Sequence, residues 1–218
     1  MSRYHGNVTV GGPPDVRELT HLVITKIAVG SMDNNTYVLR CRDSGEQLLV
    51  DAANEARTLL RLVADGLGQV LTTHRHRDHW LALADVARET GARTLAHRLD
   101  APGIRVPTDV LLEDGDEIGV GRCTLRVIHL SGHTAGSVAV VYDDPNGHPH
   151  LFTGDSLFPG GIGNTQGDQK RFTSLINDVE SKIFTRLPDE TWVYPGHGRD
   201  TTLGAERAAL PAWRARGW

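Results

Sequence analysis

The chain has 218 residues and a formal net charge of −4, and 39% of its residues are hydrophobic. This composition excludes a disordered protein, and the acidic balance disfavours a nucleic-acid partner because no basic field would attract a phosphate backbone. No segment is long and apolar enough for a membrane span or a signal-peptide core, so we expect no membrane partner and a cytoplasmic location.

The first half of the chain predicts strands followed by a helix. Residues 1–19 predict a flexible leader, because a Gly-Gly-Pro-Pro run interrupts regular structure. Residues 20–218 are then expected to form a single domain. The runs HLVITKIAV, NTYVLRCR and QLLVDA predict strands, EARTLLRLVADG predicts a helix, and QVLTT predicts a further strand.

The second half repeats this alternation. HWLALADVARETG predicts a helix, RTLAH a strand, and residues 109–142 a β meander. HLFTGDSLF predicts a strand before a glycine-rich loop, an amphipathic helix follows, and TWVYPGHG predicts the last strand, with a short helix around GAERAALPAW. The pattern favours an α+β fold in which two sheets pack together with helices outside.

The stretch THRHRDHW, residues 73–80, concentrates imidazoles and a carboxylate. In an extended segment residues i and i+2 face the same way, so His74, His76 and Asp78 can converge while the two intervening arginines face solvent. His79 follows at the turn into the next helix. Zinc accepts imidazole nitrogen and carboxylate oxygen at about 2.0–2.2 Å, so the stretch predicts a metal site. The alternative is a helix N-cap at Asp78 among surface histidines.

Three further candidates lie at the ends of apolar strands. They are His133 in HLSGHTAGS, Asp155 in LFTGDSLF and His197 in VYPGHGRD. A rigid strand end can hold a ligand at a cleft, so these three residues strengthen the metal hypothesis.

Taken together, HRHRDH, SGHTAGS, TGDSLF and YPGHG resemble the metallo-β-lactamase superfamily over roughly residues 20–213. The resemblance implies a four-layer αββα sandwich, two mixed β-sheets packed face to face with helices outside, and two divalent metal ions at one edge. Zinc is favoured above iron or manganese. The implied ligands are His74, His76 and His133 for the first metal, Asp78, His79 and His197 for the second, and Asp155 as the bridge.

Two such ions sharing a water lower its pKa toward about 7, which implies a hydroxide nucleophile. Asp78 and Asp155 are the predicted catalytic carboxylates. No GxSxG elbow occurs that would supply a serine nucleophile. The retained Asp155 and the tail from YPGHG resemble compact glyoxalase II-like hydrolases. This implies a metallo-hydrolase acting on a small-molecule thioester or related ester.

The chain departs from full-length glyoxalase II in two places, which disfavours glutathione itself as the thiol. The tail after His197 is too short for that family's C-terminal helical domain, and Asn164 stands where a thiol-binding loop arginine would fall. The predicted substrate contacts are Trp80, Phe158, Asn164, Lys170 and Arg171. Trp80 can equally fill the core, and the two cations can equally be a solvated helix start.

Asp51, at the end of the strand QLLVD, is expected to orient the metal-binding loop by hydrogen bonding. Cys41 and Cys123 are expected to be buried free thiols. Neither residue is expected to take part in metal binding.

Other functions remain open at this stage. A persulfide dioxygenase would use one iron held by residues corresponding to His74, His133 and Asp155, and metal choice depends on geometry and availability as well as on ligand type. A lactonase and a non-catalytic metal-binding protein are further alternatives. The oligomeric state, monomer or dimer, is not predicted.

Overall fold

The structure, a computed structural model, describes residues 4–63 and 66–217. Residues 1–3 of the predicted leader, residues 64–65 of the first predicted helix and residue 218 lie outside the described residues. The strands are β1 (Asp15–Glu18), β2 (Leu22–Val29), β3 (Asn34–Cys41), β4 (Gln47–Val50), β5 (Leu67–Leu71), β6 (Arg93–His97), β7 (Val110–Leu112), β8 (Glu117–Val120), β9 (Cys123–His129), β10 (Val138–Asp143), β11 (Pro149–Gly154), β12 (Leu157–Phe158), β13 (Gly161–Ile162), β14 (Trp192–Pro195) and β15 (Thr201–Thr202). The helices are α1 (Ala56–Leu62), α2 (Leu83–Thr90), α3 (Gln169–Asp178), α4 (Leu203–Arg207) and α5 (Leu210–Arg216).

The first sheet contains seven strands in chain order, β1 to β7. β1 to β4 pair antiparallel through short turns, whereas β4 to β7 pair parallel. Parallel neighbours need crossover connections, and α1 and α2 lie in the connections from β4 to β5 and from β5 to β6.

The second sheet has the order β15-β14-β11-β10-β9-β8. Its pairs are antiparallel except for β11 and β14, which are parallel and are connected through α3. β12 and β13 form a separate two-stranded hairpin.

Three hydrophobic clusters separate four layers. The central cluster lies between the sheets and includes Tyr37, Phe152 and Tyr194, whose rings stack or meet edge to face at 4.5–5.6 Å between centroids. A second cluster joins the first sheet to α1 and α2, and a third joins the second sheet to α3 and α5. This arrangement confirms the predicted αββα sandwich.

Several predicted elements differ in the structure. β7, placed by the sequence in a meander, pairs parallel with β6 and belongs to the first sheet, so the chain changes sheets before β8. Part of the predicted leader is β1, which pairs with β2. α2 begins at Leu83, after a short 3-10 turn over Arg77–His79.

The last two predicted helices also differ in detail. α3 continues into a π-helical turn over Val179–Phe184, and the C-terminal helix is divided into α4 and α5, with Pro211 in the first turn of α5. Among the described residues, no helix combines the length and the apolar character needed to cross a bilayer.

Candidate metal centre

The seven predicted ligands follow strands whose carboxyl ends meet at one edge of the sandwich. β9, β11 and β14 run in the same direction, because β10 is antiparallel to both β9 and β11 while β14 is parallel to β11. His133, Asp155 and His197 lie just beyond these three strand ends. His74 and His76 lie just beyond β5 in the other sheet. The two edges are joined by a backbone hydrogen bond of 2.9 Å from Val138 N to Thr73 O.

Three side chains meet at the first predicted metal position. One ligand atom from each of His74, His76 and His133 lies within 4.8 Å of the others, and Nε2 of His74 is 3.3 Å from Nε2 of His133. This group can hold one metal ion through imidazole nitrogen.

A second group forms from Asp78, His79 and His197 under the same distance limit. Asp78 Oδ2 lies 3.4 Å from Nε2 of both histidines. The sequence prediction of an extended segment through Asp78 is wrong, because Arg77–His79 form a 3-10 turn, and the Asp78 carboxylate lies beside His197.

Asp155 lies between the two groups. Its Oδ1 is 3.4 Å from His79 Nε2, and its Oδ2 is 3.6 Å from His197 Nε2, 3.7 Å from His133 Nε2 and 4.0 Å from His74 Nε2. The carboxylate therefore lies within 4.0 Å of imidazole nitrogens in both groups. We call the seven side chains the ligand cluster: His74, His76, Asp78, His79, His133, Asp155 and His197.

Four of the imidazoles are held through Nδ1, which leaves Nε2 directed into the cluster. Nδ1 lies 2.7 Å from Asp51 Oδ2 in His79, 2.9 Å from Asn164 O in His133, 2.8 Å from Met32 O in His197 and 3.1 Å from Thr73 Oγ1 in His74. Bonds of this type fix the tautomer and the ring orientation of metal-binding histidines.

Two buried polar atoms of the cluster have no hydrogen-bond partner among the described residues, namely His79 Nε2 and Asp155 Oδ1. Burying such atoms without a partner costs about 1–3 kcal/mol. They face each other at 3.4 Å, so a metal ion between them would satisfy both. The donor set of imidazoles and carboxylates fits a divalent cation of the zinc or iron type.

Burial and neighbouring charges shift the pKa values of the side chains in the cluster. Burial, with the neighbouring His79 and His133, lowers the pKa of His74 well below its usual range, and burial also lowers that of His133. Burial opposes ionisation of Asp155, but the imidazoles outweigh it and lower the pKa of that carboxyl. Neutral imidazoles and an ionised carboxylate are the states in which these groups bind metals.

His79 behaves differently. Burial alone would lower its pKa, yet the carboxylates of Asp51 and Asp155 raise it well above its usual range. The negative charge around this imidazole therefore favours a cation at this point of the cluster.

Asp51, predicted to orient the metal-binding loop, contacts both Thr73 and His79. Its Oδ1 accepts from Thr73 N at 2.7 Å, and its Oδ2 accepts from Thr73 Oγ1 at 2.8 Å and contacts His79 Nδ1 at 2.7 Å. Asp51 has a φ of 59°, a left-handed conformation that costs energy for a residue other than glycine. The carboxylate thus joins the start of the HRHRDH segment to the buried imidazole.

Two further polar residues, Asp100 and Asn34, support the cluster and were not among the predicted site residues. Asp100 is fully buried and accepts from Arg75 N, Thr134 Oγ1 and Gly136 N at 2.9, 2.5 and 2.8 Å, so it joins the HRHRDH segment to the loop of His133. Asn34 Nδ2 donates to Asp78 Oδ2 at 2.8 Å. Both residues are turn formers in the sequence, and only their three-dimensional neighbours reveal the contact.

Gly196 permits a close approach beside the cluster. A Cβ at this position would lie 2.2 Å from Asp155 Oδ1 and 2.8 Å from His79 Cε1. A side chain therefore has no room here, and this side of the cluster is bounded by main chain.

The predicted substrate contacts are distributed over three places. Phe158 and Asn164 line a surface cavity of about 470 Å³ together with Arg216 from α5. Lys170 and Arg171 line a separate cavity of about 380 Å³ with Arg75. Trp80 is 8% exposed and packs in the core beneath the first sheet. Its indole Nε1 donates to Arg75 O at 2.9 Å, so it supports the HRHRDH segment from inside.

Arg171 is engaged with the protein. Its Nε donates to Gly132 O at 2.8 Å, and its Nη2 donates to His133 O. The guanidinium therefore holds the loop that carries a predicted ligand, whereas the predicted partner of Arg171 was an anionic substrate group.

Residues 29–197 match the model of the metallo-β-lactamase superfamily. The chain belongs to this superfamily. This confirms the resemblance drawn from HRHRDH, SGHTAGS, TGDSLF and YPGHG.

Relatives and structural neighbours within the superfamily differ in their names. A hydroxyacylglutathione hydrolase from a Polaromonas species is 34% identical over 88% of this chain and 76% of its own length. ETHE1 from Myxococcus xanthus has a TM-score of 0.77 and 26% identity over 88% of this chain and 84% of that one. TTHA1623 in a di-iron-bound form has a TM-score of 0.69 and 31% identity over 84% and 96%.

The coarse functional class follows from membership of the superfamily and from the ligand cluster. The chain is a metallo-β-lactamase-fold, metal-dependent hydrolase whose His/Asp groups are able to hold a metal.

Proposed function

We propose that this metallo-hydrolase cleaves a small-molecule thioester or a related ester, with two divalent ions bound by the ligand cluster and zinc favoured above iron or manganese. The observation that carries the proposal is the position of Asp155 between two groups of three ligands. When bound, such an ion pair supplies hydroxide at neutral pH and polarises a carbonyl.

The residues of the chain have separate tasks in this proposal. His74, His76 and His133 would hold one ion, Asp78, His79 and His197 would hold the other, and Asp155 would bridge them. Contacts at Nδ1 keep the imidazoles oriented before substrate arrives. Such preorganisation means that little reorientation is needed during the reaction.

Asp78 and Asp155 are the proposed catalytic carboxylates. The Asp78 side chain is 19% exposed and its Oδ2 accepts from Asn34 Nδ2. Its carboxylate is thus both oriented and accessible, and it would hold the second ion together with His79 and His197. Asp155 is held ionised by its imidazole neighbours.

A thioester suits this arrangement because a thiolate leaves as a stable anion and needs little help from a general acid. The similarity to a hydroxyacylglutathione hydrolase supports the same class. Phe158 and Asn164 would contact the substrate in the cavity beside Asn164 O, which bonds His133. Lys170 would contact an anionic group in the second cavity.

The test is hydrolysis of S-acyl glutathione and S-acyl coenzyme A substrates by zinc-loaded protein in the absence of oxygen. The amount of free thiol released measures the reaction. His76→Ala should lower kcat/KM by about 100-fold or more, because it removes a ligand from one group. His148→Ala is the matched control, since His148 lies outside the ligand cluster. Full hydrolysis by His76→Ala would contradict the proposal.

A second candidate is a persulfide dioxygenase with one iron. Nε2 of His74, Nε2 of His133 and Oδ2 of Asp155 lie 3.3–4.0 Å apart, so these three residues can share one ion. The di-iron form of TTHA1623 shows that iron binds in a structural neighbour. Oxygen uptake by the iron-loaded protein with a persulfide, together with no thioester hydrolysis under anaerobic conditions, would favour this candidate.

A further inference from the structure

Lys26, in the middle of β2 and between β1 and β3 of the first sheet, is a fully buried lysine. Its Nζ donates to Gly6 O at 2.9 Å, to Gly198 O at 2.8 Å and to Asp200 Oδ1 at 2.6 Å. All three donor positions of an ammonium group are therefore used. The lysine joins the N-terminal segment, β2 and the loop that follows His197.

Asp200, the partner of Lys26, is buried, and its second carboxylate oxygen is also hydrogen-bonded. Its Oδ2 accepts from Tyr4 Oη at 2.7 Å and from Trp192 Nε1 at 2.8 Å. A Cβ on Gly6 would lie 2.5 Å from this oxygen, so the N-terminal segment packs directly against the carboxylate. The ion pair has no partner-free oxygen and is enclosed by chain from three elements.

Lys26 is connected to the ligand cluster through the main chain at Gly198, the residue next to His197. Gly198 O accepts from Lys26 Nζ and also from Asn35 Nδ2 at 2.8 Å, and Gly198 follows His197 directly. His197 is 23% exposed and lies on this loop, whereas His74 and His79 are fully enclosed. The direction of the His197 ring thus depends on how residues 196–200 are held.

Stability alone is a weak reason for such a buried pair. Replacing a buried ion pair by apolar residues is often neutral or stabilising, because both charges lose their hydration. What the pair does supply is a fixed geometry between its partners. Here those partners are the N-terminal segment and the loop of a ligand.

We propose that Lys26 and Asp200, covered by Tyr4–Gly6, position His197 and thereby set the affinity of the metal site formed by Asp78, His79 and His197. This inference rests on the proposed dinuclear site. Lys26 and Asp200 are positioning residues, since neither contacts the ligand cluster directly except through the loop.

The test is titration of metal-free protein with Zn²⁺, and in parallel with Co²⁺ followed by its absorption spectrum. Wild-type protein should bind two equivalents, and His197→Ala identifies the step that belongs to the His197 site. Lys26→Met should weaken that same step by about 10- to 100-fold, the usual effect of losing an orienting partner, while the other step changes less than about threefold.

Lys182→Met is the matched control. Lys182 Nζ also donates to a carbonyl, His129 O at 2.7 Å, and pairs with Asp178 at 3.3 Å, but it does not contact residues 196–200. Both metal-binding steps should therefore keep their wild-type affinity. Circular dichroism of the metal-free proteins verifies that each variant is folded.

Tyr4→Phe gives a second variant that leaves no buried charge unpaired. It removes one hydrogen bond to Asp200 and should weaken the His197 step alone, by less than Lys26→Met does. It also decides the question if Lys26→Met fails to fold.

The outcomes separate the two proposals. Equal weakening of both steps, or no change in either, with two equivalents bound by wild-type protein, would overturn the positioning role and leave the dinuclear site intact. A single equivalent bound by wild-type protein would overturn the dinuclear site and this inference together.

Discussion

At the scale of single residues, three ligands of the cluster lie just beyond strand ends, and a fourth, Asp78, lies in a 3-10 turn. His133, Asp155 and His197 could be found because apolar strands lead into them and small residues follow. The direction of Asp78 could not be found, since it depends on a 3-10 turn where an extended segment was expected. Asn34 and Asp100 could not be predicted as site residues because their hydrogen-bond partners are distant in sequence.

Asp51→Asn is predicted to weaken metal binding by about 10- to 100-fold. Asparagine can still accept from Thr73 N through its oxygen, but its amide nitrogen cannot accept from His79 Nδ1 as Asp51 Oδ2 does. The imidazole then loses the partner that fixes its tautomer. Competition with a chelator measures the affinity.

Asp43→Asn is the control for this prediction, because Asp43 is 54% exposed and its ion-pair contacts among the described residues are with His21 and Arg122, away from the ligand cluster. Its metal affinity should equal that of wild-type protein. An Asp51→Asn variant with wild-type affinity would show that Asp51 does not orient the site.

At the scale of elements, the existence of the main strands and helices follows from hydrophobic pattern, but their partners do not. β7 is short, and its pairing with β6 is decided by parallel register at the edge of the first sheet. The apolar face of α3 predicts the helix, but it does not predict how the first turn of the helix is capped. Asp168 caps that turn by accepting from the backbone of Lys170 and Arg171.

Arg171→Met is predicted to weaken metal binding at the His133 group by about 10-fold or more, because the carbonyls of Gly132 and His133 lose their donors. Lys170→Met, one residue away in the same turn, should keep wild-type metal affinity. Chelator competition measures both variants. A raised KM for an anionic substrate with unchanged metal affinity in Arg171→Met would instead support a direct substrate contact.

At the scale of the whole molecule, the sandwich could be predicted because the four motifs identify a family, not because local patterns specify how two sheets face each other. Local pattern gives faces of strands, whereas the central packing of Tyr37, Phe152 and Tyr194 brings together residues far apart in the chain. The same central region contains a buried histidine, His150, with Nδ1 2.8 Å from Tyr194 Oη.

His150 is predicted to make the fold sensitive to acid. Burial lowers its pKa to about 3, against about 6.5 in an unfolded chain. Between these values the unfolded state binds a proton that the folded state does not. The free energy of unfolding should therefore fall as the pH falls from about 6.5 toward 3, by up to about 1.4 kcal/mol per pH unit from this group.

His150→Asn should reduce this slope, because asparagine does not titrate. Urea unfolding of metal-free protein at a series of pH values measures the slope in both proteins. Above about pH 7 the two dependences should run parallel, since the histidine is neutral in both states there. Identical slopes below pH 6.5 would contradict the prediction.

Gly196 limits the sides from which a molecule can reach the ligand cluster. Main chain closes the side next to Asp155 and His79, while His76, Asp78 and His197 remain partly open to solvent. A small molecule can therefore approach the cluster from the side of these three side chains. A bulky side chain introduced on that side would hinder both substrate entry and product release.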